Sequence, residues 1–157
     1  MAAPTFFTPE WARAVRQAVD RGPSEQVRAT KLDDYWKWVE RVRDGYADSW
    51  ALGVRDLPPA LGGSPSYLLL EWSAGACAKA RIVGPDEPVT ATYVLAGDYA
   101  HWRELLNGYD AGRMVMYRRL VLEEGSVLAF FRGAYFFIES LACLATVPAE
   151  LPDGGRG

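Results

Sequence analysis

The segment from Val127 to Val147 is apolar around nearly the whole circumference of the helix that its composition predicts. Ser126 precedes it as the predicted N-cap, and the apolar positions are Val127, Leu128, Phe130, Phe131, Ala134, Tyr135, Phe136, Phe137, Ile138, Leu141, Ala142, Leu144 and Val147. A helix packed on one sheet needs only an apolar stripe facing the core. Unless this helix is simply buried in an ordinary core with bulky residues at its rim, its remaining apolar surface needs a ligand, another subunit or a lipid bilayer as partner.

A bilayer is the weakest of these partners. A membrane-spanning helix needs roughly 20 largely uncharged residues, and this segment is barely that long. Arg132 and Glu139 lie near its middle, where each charge costs about 2–4 kcal/mol. The two residues are seven positions apart, on one side of the helix, and predict an edge that faces solvent. We therefore expect membrane contact to be at most transient.

The ionisable residues exclude several functions. Lys plus Arg number 17 and Asp plus Glu number 20, a net charge of −3, so no basic excess exists to bind nucleic acid. One histidine and two distant cysteines, Cys77 and Cys143, support no metal site and no disulfide framework. The sequence contains no Gly-rich loop between a strand and a helix, so nothing in it indicates a nucleotide cofactor. We therefore predict no cofactor. Residues 1–11 lack the pattern of a signal peptide, and the cysteines are few and distant, so we also predict a cytoplasmic protein.

The chain alternates helical and strand-like segments within one predicted domain, 1–157. Thr8-Pro9 begins a helix that Gly22-Pro23 ends, and an additional helix is predicted over about 30–46, with Leu32 on its apolar stripe. Later helices begin after Asp98, Asp110 and Ser126, and a mobile tail is predicted over about 148–157. The predicted strands are Trp50–Val54, Tyr67–Ser73, Ala76–Val83, Val89–Ala96 and Arg119–Glu124. Short turns between consecutive strands predict an α+β fold with an antiparallel sheet, mostly a meander, covered by helices.

The residues that could perform chemistry form no catalytic pattern. His101 is the only possible imidazole base, and its place in the first turn of a helix predicts a solvated surface residue. Neighbouring acids point in different directions, so neither Asp33-Asp34 nor Glu123-Glu124 forms a catalytic pair. Tyr93 and Tyr135 could polarise a carbonyl group, but nothing selects them among 8 tyrosines. We expect Cys77 and Cys143 to be buried and inert.

The order of these elements resembles the sterol carrier protein 2 family. The matching residues begin with Thr90-Ala91-Thr92-Tyr93-Val94-Leu95 and continue through Asp98-Tyr99-Ala100-His101-Trp102 and Leu105-Leu106-Asn107-Gly108. They end with Met114, Met116, the strand Arg119-Leu120-Val121-Leu122-Glu123, Gly125 and the last helix. The similarity covers roughly 68–144. Three features differ from the family: Tyr117 or Arg118 replaces a usual glycine, Glu123-Glu124 adds a residue, and the helix at 30–46 is additional and could cover a ligand mouth.

This resemblance implies a carrier of hydrophobic small molecules that performs no chemistry. Members of the family hold lipids, fatty acyl chains or sterols in an apolar cavity between sheet and helices, and some relatives are accessory modules in pathways such as quinone biosynthesis. Carried over to this chain, the resemblance implies a cavity lined by Met114, Met116, Val127, Leu128, Phe131 and Tyr135. Methionine suits such a wall because its flexible thioether adapts to irregular ligands.

Two other functions remain open at this stage. The apolar face of the last helix would also suit a homodimer or a partner-enzyme interface. A small isomerase or cyclase with a Tyr/Asp pair in the same cavity is the other alternative.

Overall fold

The computed structural model describes residues 3–152, which form helices and one five-stranded sheet. The helices are α1 (Pro9–Arg21), α2 (Glu25–Arg28), α3 (Asp33–Arg43), α4 (Tyr99–Leu106), α5 (Ala111–Met116), α6 (Val127–Arg132) and α7 (Ala134–Ala145). The strands are β1 (Ser49–Val54), β2 (Ser66–Ser73), β3 (Ala76–Val83), β4 (Tyr93–Gly97) and β5 (Leu120–Glu124). A short 3-10 helix, Pro59–Leu61, lies between β1 and β2. The predicted α+β class is confirmed.

The sheet is mixed, so the predicted antiparallel meander is wrong. Its strand order is β3-β2-β1-β4-β5, and β4 pairs in parallel with β1, with Trp50 opposite Tyr93. The hairpin of β2 and β3 around Ala74-Gly75 is as predicted. β3 carries exposed Lys79 and Arg81, which suit an edge strand. Every residue of β4 is buried, so that strand takes a central position instead of following β3.

The main core lies between the helices and one face of the sheet. Trp11 of α1, Trp50 of β1 and Trp102 of α4 are fully or almost fully buried there. The Trp102 indole N–H donates to the Gly53 carbonyl oxygen at 2.9 Å. The opposite face of the sheet has a smaller cluster of Ala51, Leu69, Val83 and Val94, against which Val89 and Ala91 of the loop before β4 pack.

Side-chain caps begin three of the helices at the predicted residues. The side chains of Thr8, Asp110 and Ser126 each accept a hydrogen bond from a backbone N–H in the first turn of their helices. The start of α4 differs. The Tyr99 N–H donates to the Asp56 carboxylate at 2.7 Å, and the Asp98 side chain makes no capping bond. Asp98 occupies the predicted position, but Asp56 supplies the acceptor.

The predicted single last helix is two helices, α6 and α7, separated at Gly133. A Cβ at Gly133 would lie 3.3 Å from Val42 of α3, so a side chain there would crowd the neighbouring helix. Because of the break, Phe130 of α6 and Phe137 of α7 both enter the core, and their ring centroids are 5.0 Å apart. Neither helix is long enough to cross a bilayer, nor is any other helix of residues 3–152.

The predicted solvent edge at Arg132 and Glu139 is only half right. Arg132 is exposed, but Glu139 is 3% exposed and accepts hydrogen bonds from the Lys31 ammonium and the Tyr35 hydroxyl. These two partners belong to the additional helix, α3, and to the residues just before it. Leu32, which we placed on the apolar stripe of that helix, is 80% exposed because it is the N-cap residue, with extended backbone, and precedes the helix. Trp36 and Val39, of the same predicted stripe, are buried.

The first part of the predicted tail is hydrogen-bonded to the N-terminal segment. Glu150 N–H donates to the Pro4 carbonyl oxygen, and Phe6 N–H donates to that of Glu150, each at 2.9 Å. The Tyr99 hydroxyl donates to the carbonyl oxygen of Pro152. The rest of the predicted tail, 153–157, lies outside the described residues.

The two local departures from the family pattern have visible structural consequences. Arg118 has φ +58°, a left-handed conformation that glycine adopts more easily, whereas Tyr117 has φ −95°. The pairing of β4 with β5 moves from Leu95–Leu122 to Val94–Glu124, so Glu123 is an extra residue in a β-bulge.

We predict that Arg118→Gly stabilises the protein by about 0.5–1 kcal/mol, because it removes the cost of a left-handed L-residue. Urea unfolding measures the change. Arg118→Gln, which keeps the backbone constraint and removes only the charge, should leave the free energy of unfolding nearly unchanged. Equal stabilisation by both variants would show that the charge, and not the backbone, carries the cost.

Candidate ligand pocket

An open pocket of about 420 Å³ lies between β4, β5, the C-terminal end of α5 and α6. We call it the ligand pocket. Its lining consists of nine apolar residues and one arginine: Leu95, Val115, Met116, Arg118, Leu120, Val121, Leu122, Val127, Phe130 and Phe131. Such a lining suits a molecule that buries apolar surface, with the guanidinium group of Arg118 available to a polar or anionic end.

The pocket takes its shape from two strands and one short helix. Leu95 of β4 pairs with Leu122 of β5, so these two strands supply the floor. Phe130 is the only buried residue of α6 and attaches that helix to the core. Phe131 and Val127, on the same helix, are 52% and 59% exposed and form the opposite wall.

The pocket brings together half of the six residues that the resemblance implied. Met116, Val127 and Phe131 line it. Met114 is completely buried in the core and does not line it. Leu128 is 78% exposed on the outer side of α6, and Tyr135 packs on Tyr35 at 5.3 Å between ring centroids. This pocket is open to solvent, unlike the enclosed apolar cavity that the resemblance implied.

Sequence reasoning missed the strand residues of the pocket and its central aromatic side chain. Leu120 and Leu122 alternate along β5, a signal that they share one face of the sheet. Leu95 lies beside them only because β4 pairs with β5, and the sequence alone did not predict that pairing. Phe130 could not be distinguished from Phe131 by periodicity, because the predicted helix was apolar on all sides.

Comparison with known proteins shows which solved structures this architecture is similar to. No protein-family profile and no curated protein sequence matches the chain. The crystal structure of a sterol carrier protein 2 matches with a TM-score of 0.69 and 25% sequence identity, covering 91% of this chain and 99% of that chain. The chain has the SCP-2-like fold. A second match is the solution structure of a conserved hypothetical protein, possibly a sterol carrier protein, from Thermus thermophilus. Its TM-score is 0.66 and its sequence identity 26%, and the match covers 99% of this SCP-2-like chain and 97% of that chain.

An exposed apolar surface at α5, α6 and the start of α7 overlaps the wall of the pocket in this SCP-2-like protein. We call it the apolar rim, and it consists of side chains that are each more than half exposed: Met116, Tyr117, Val127, Leu128, Phe131 and Tyr135. Large apolar side chains grouped in this way mark a site for a ligand or a macromolecular partner. The additional helix α3 contributes no residue to the lining of the ligand pocket.

The reactive side chains lie away from the pocket of the SCP-2-like domain. Cys77 and Cys143 are free and buried, as expected, and burial raises the pKa of each thiol to about 11. Both therefore stay protonated and unreactive at neutral pH. Among residues 3–152, no cluster of three His, Cys, Asp or Glu side chains could hold a metal ion.

His101 is not the solvated residue that its place in the sequence predicts. The side chain is partly buried, and its Nδ1 atom is buried without a hydrogen-bond partner. It does not line the ligand pocket.

We predict that His101→Ala changes the free energy of unfolding by less than about 0.5 kcal/mol, because it removes an unpaired buried atom and places a better helix former in α4. Affinity for a fluorescent fatty acid should also stay the same. Thermal melting and a binding titration measure the two effects. A large loss of affinity without a loss of stability would connect His101 to the ligand.

Proposed function

We propose that this protein is a non-catalytic carrier that holds a hydrophobic small molecule of lipid, fatty acyl, sterol or isoprenoid type in the ligand pocket. The observation that carries the proposal is the apolar lining of that pocket, with nine apolar residues among ten. The similarity to a sterol carrier protein 2 supports it.

Burial of apolar surface would supply most of the binding free energy in this proposal. At about 25 cal/mol per Å² of apolar area, an acyl chain gains several kcal/mol on leaving water. Arg118, at the edge of the pocket, would pair with a carboxylate or another anionic end. We also propose a cytoplasmic location, because free thiols persist most easily in a reducing compartment.

Titration with a fluorescent fatty acid tests the proposal directly. A native mass spectrum of the freshly purified protein complements it, because one measurement reports both co-purified lipid and oligomeric state. We expect saturable binding by one molecule per chain and displacement by unlabelled fatty acid. A protein that is monomeric, free of lipid and unable to bind the probe would contradict the carrier function.

A second candidate function is an accessory module that docks on another copy of the chain or on a partner enzyme. The apolar rim favours it, since Leu128 and Tyr135 are strongly exposed and lie outside the pocket. Native mass spectra of the wild-type protein and of Leu128→Asp distinguish this function. A dimer in the wild type that dissociates in the variant would support docking between copies.

A further inference from the structure

A second pocket, of about 270 Å³, lies on the other side of Phe130. We call it the aromatic pocket, because five aromatic side chains contribute to its wall. Consecutive ring centroids along that wall lie 5.8 Å (Tyr46–Trp50), 4.9 Å (Trp50–Phe137), 5.0 Å (Phe137–Phe130) and 5.5 Å (Phe130–Tyr93) apart. The wall is therefore continuous, and the parallel pairing places Trp50 and Tyr93 side by side on neighbouring strands.

Two charged side chains of opposite sign also line the aromatic pocket. They are Asp48, just before β1, and Arg132, at the end of α6. Within residues 3–152, neither forms a salt bridge. Several other basic side chains pair with an acid, such as Arg43 with Asp20 and Arg119 with Glu104.

Both charges influence the pKa of the Tyr93 phenol. Burial raises the pKa of Tyr93, the Asp48 carboxylate raises it further, and the Arg132 guanidinium lowers it. Burial also raises the pKa of Tyr46, the hydrogen bond from the Trp50 indole lowers it, and Asp48 raises it. A carboxylate and a guanidinium therefore lie beside one aromatic wall, because both residues line the same pocket.

These groups have complementary chemical preferences. Aromatic faces and a carboxylate attract an ammonium group, above all a quaternary one that cannot donate hydrogen bonds. A guanidinium group binds a phosphate or carboxylate through two parallel hydrogen bonds. One pocket with both features suits a ligand that carries both charges.

We propose that the aromatic pocket binds the zwitterionic head group of an amphiphile whose apolar tail occupies the ligand pocket. Phe130 lines both pockets, so a single ring separates them. In this proposal the ligand passes beside Phe130, which is also the only buried side chain of α6. The inference rests on the proposed carrier function and adds the class of ligand.

Four amphiphiles with the same dodecyl tail test the head group separately from the tail. They are dodecylphosphocholine, dodecyltrimethylammonium, dodecyl phosphate and dodecyl maltoside, each titrated below its critical micelle concentration while tryptophan fluorescence is recorded. We expect dodecylphosphocholine to bind about tenfold more tightly than the uncharged maltoside. Equal affinities for all four would overturn the head-group proposal and leave the carrier function intact, whereas no binding of any would contradict both.

Two variants test which charged residue binds which part of the head group. Asp48→Asn should weaken binding of dodecylphosphocholine and dodecyltrimethylammonium about fivefold and leave dodecyl phosphate unchanged. Arg132→Gln should weaken dodecylphosphocholine and dodecyl phosphate and leave the ammonium compound unchanged. Asp86→Asn and Lys79→Gln, in the turn after β3 and on that edge strand, are the matched controls. If the controls change affinity as much as the pocket variants do, the effect is one of net charge and the proposal is wrong.

Discussion

Phe131→Asp should lower the affinity for a fluorescent fatty acid by more than about tenfold, or 1.4 kcal/mol, and leave the melting temperature nearly unchanged. Phe131 lines the ligand pocket but is 52% exposed, so the introduced carboxylate can remain hydrated in the free protein. A bound apolar chain would strip that water from the carboxylate, at a cost that an aromatic ring does not impose. Circular dichroism melting and a binding titration measure the two quantities.

Leu128→Asp is the matched control for this prediction. Leu128 lies three positions earlier on α6 and is 78% exposed, outside the pocket. The same charge on the same short helix should therefore leave fatty acid binding unchanged. If both variants lose affinity equally, the ligand contacts the outer side of α6 and our assignment of the pocket is wrong. If Phe131→Asp fails to fold, Phe131 contributes to the core more than its exposure indicates.

Local features of the fold were predictable because they depend on neighbours in the sequence. The hairpin around Ala74-Gly75 and the caps at Thr8, Asp110 and Ser126 arise from turn geometry and from unpaired backbone groups in a first helical turn. The parallel pairing of β1 with β4 joins strands about 40 residues apart, so no local signal specifies it. The uninterrupted apolar run Tyr93–Ala96 was the one available clue, since it is typical of a strand buried on both faces.

Only part of the ligand pocket could be predicted from the sequence, because the rest depends on contacts between residues that are distant in the chain. In a single helix from 127 to 147, Leu128, Phe131 and Tyr135 would lie on one face. The break at Gly133 separates Tyr135 from the other two, and Tyr135 packs on α3. Within α6, Phe131 lines the pocket whereas Leu128 is exposed outside it. The aromatic pocket depends on the parallel strand pair, so the sequence alone offered no reason to place Asp48 near Arg132.

Glu139 is the strongest exception to the apolar character of α7. Its carboxylate is buried and accepts hydrogen bonds from the Tyr35 hydroxyl and, at 2.6 Å, from the Lys31 ammonium. Burial raises the pKa of Tyr35, and the hydrogen bond to Glu139 raises it further, so the phenol stays protonated and remains a donor. This cluster ties the additional helix to α7, and a buried carboxylate that loses its partners is costly.

Lys31→Met should therefore destabilise the protein by about 2–4 kcal/mol, less than a fully buried pair would lose because the Lys31 side chain is 43% exposed. Glu139→Gln should cost much less, since the amide oxygen still accepts hydrogen bonds and no buried charge remains. The decisive comparison is the double variant. If the unpaired carboxylate causes the loss, adding Glu139→Gln to Lys31→Met restores stability. The Lys31 ammonium also lies 4.7 Å from the centroid of the Tyr35 ring. If loss of this cation–π contact causes the destabilisation, the double variant is no more stable than Lys31→Met alone. Urea unfolding of the three variants separates these causes.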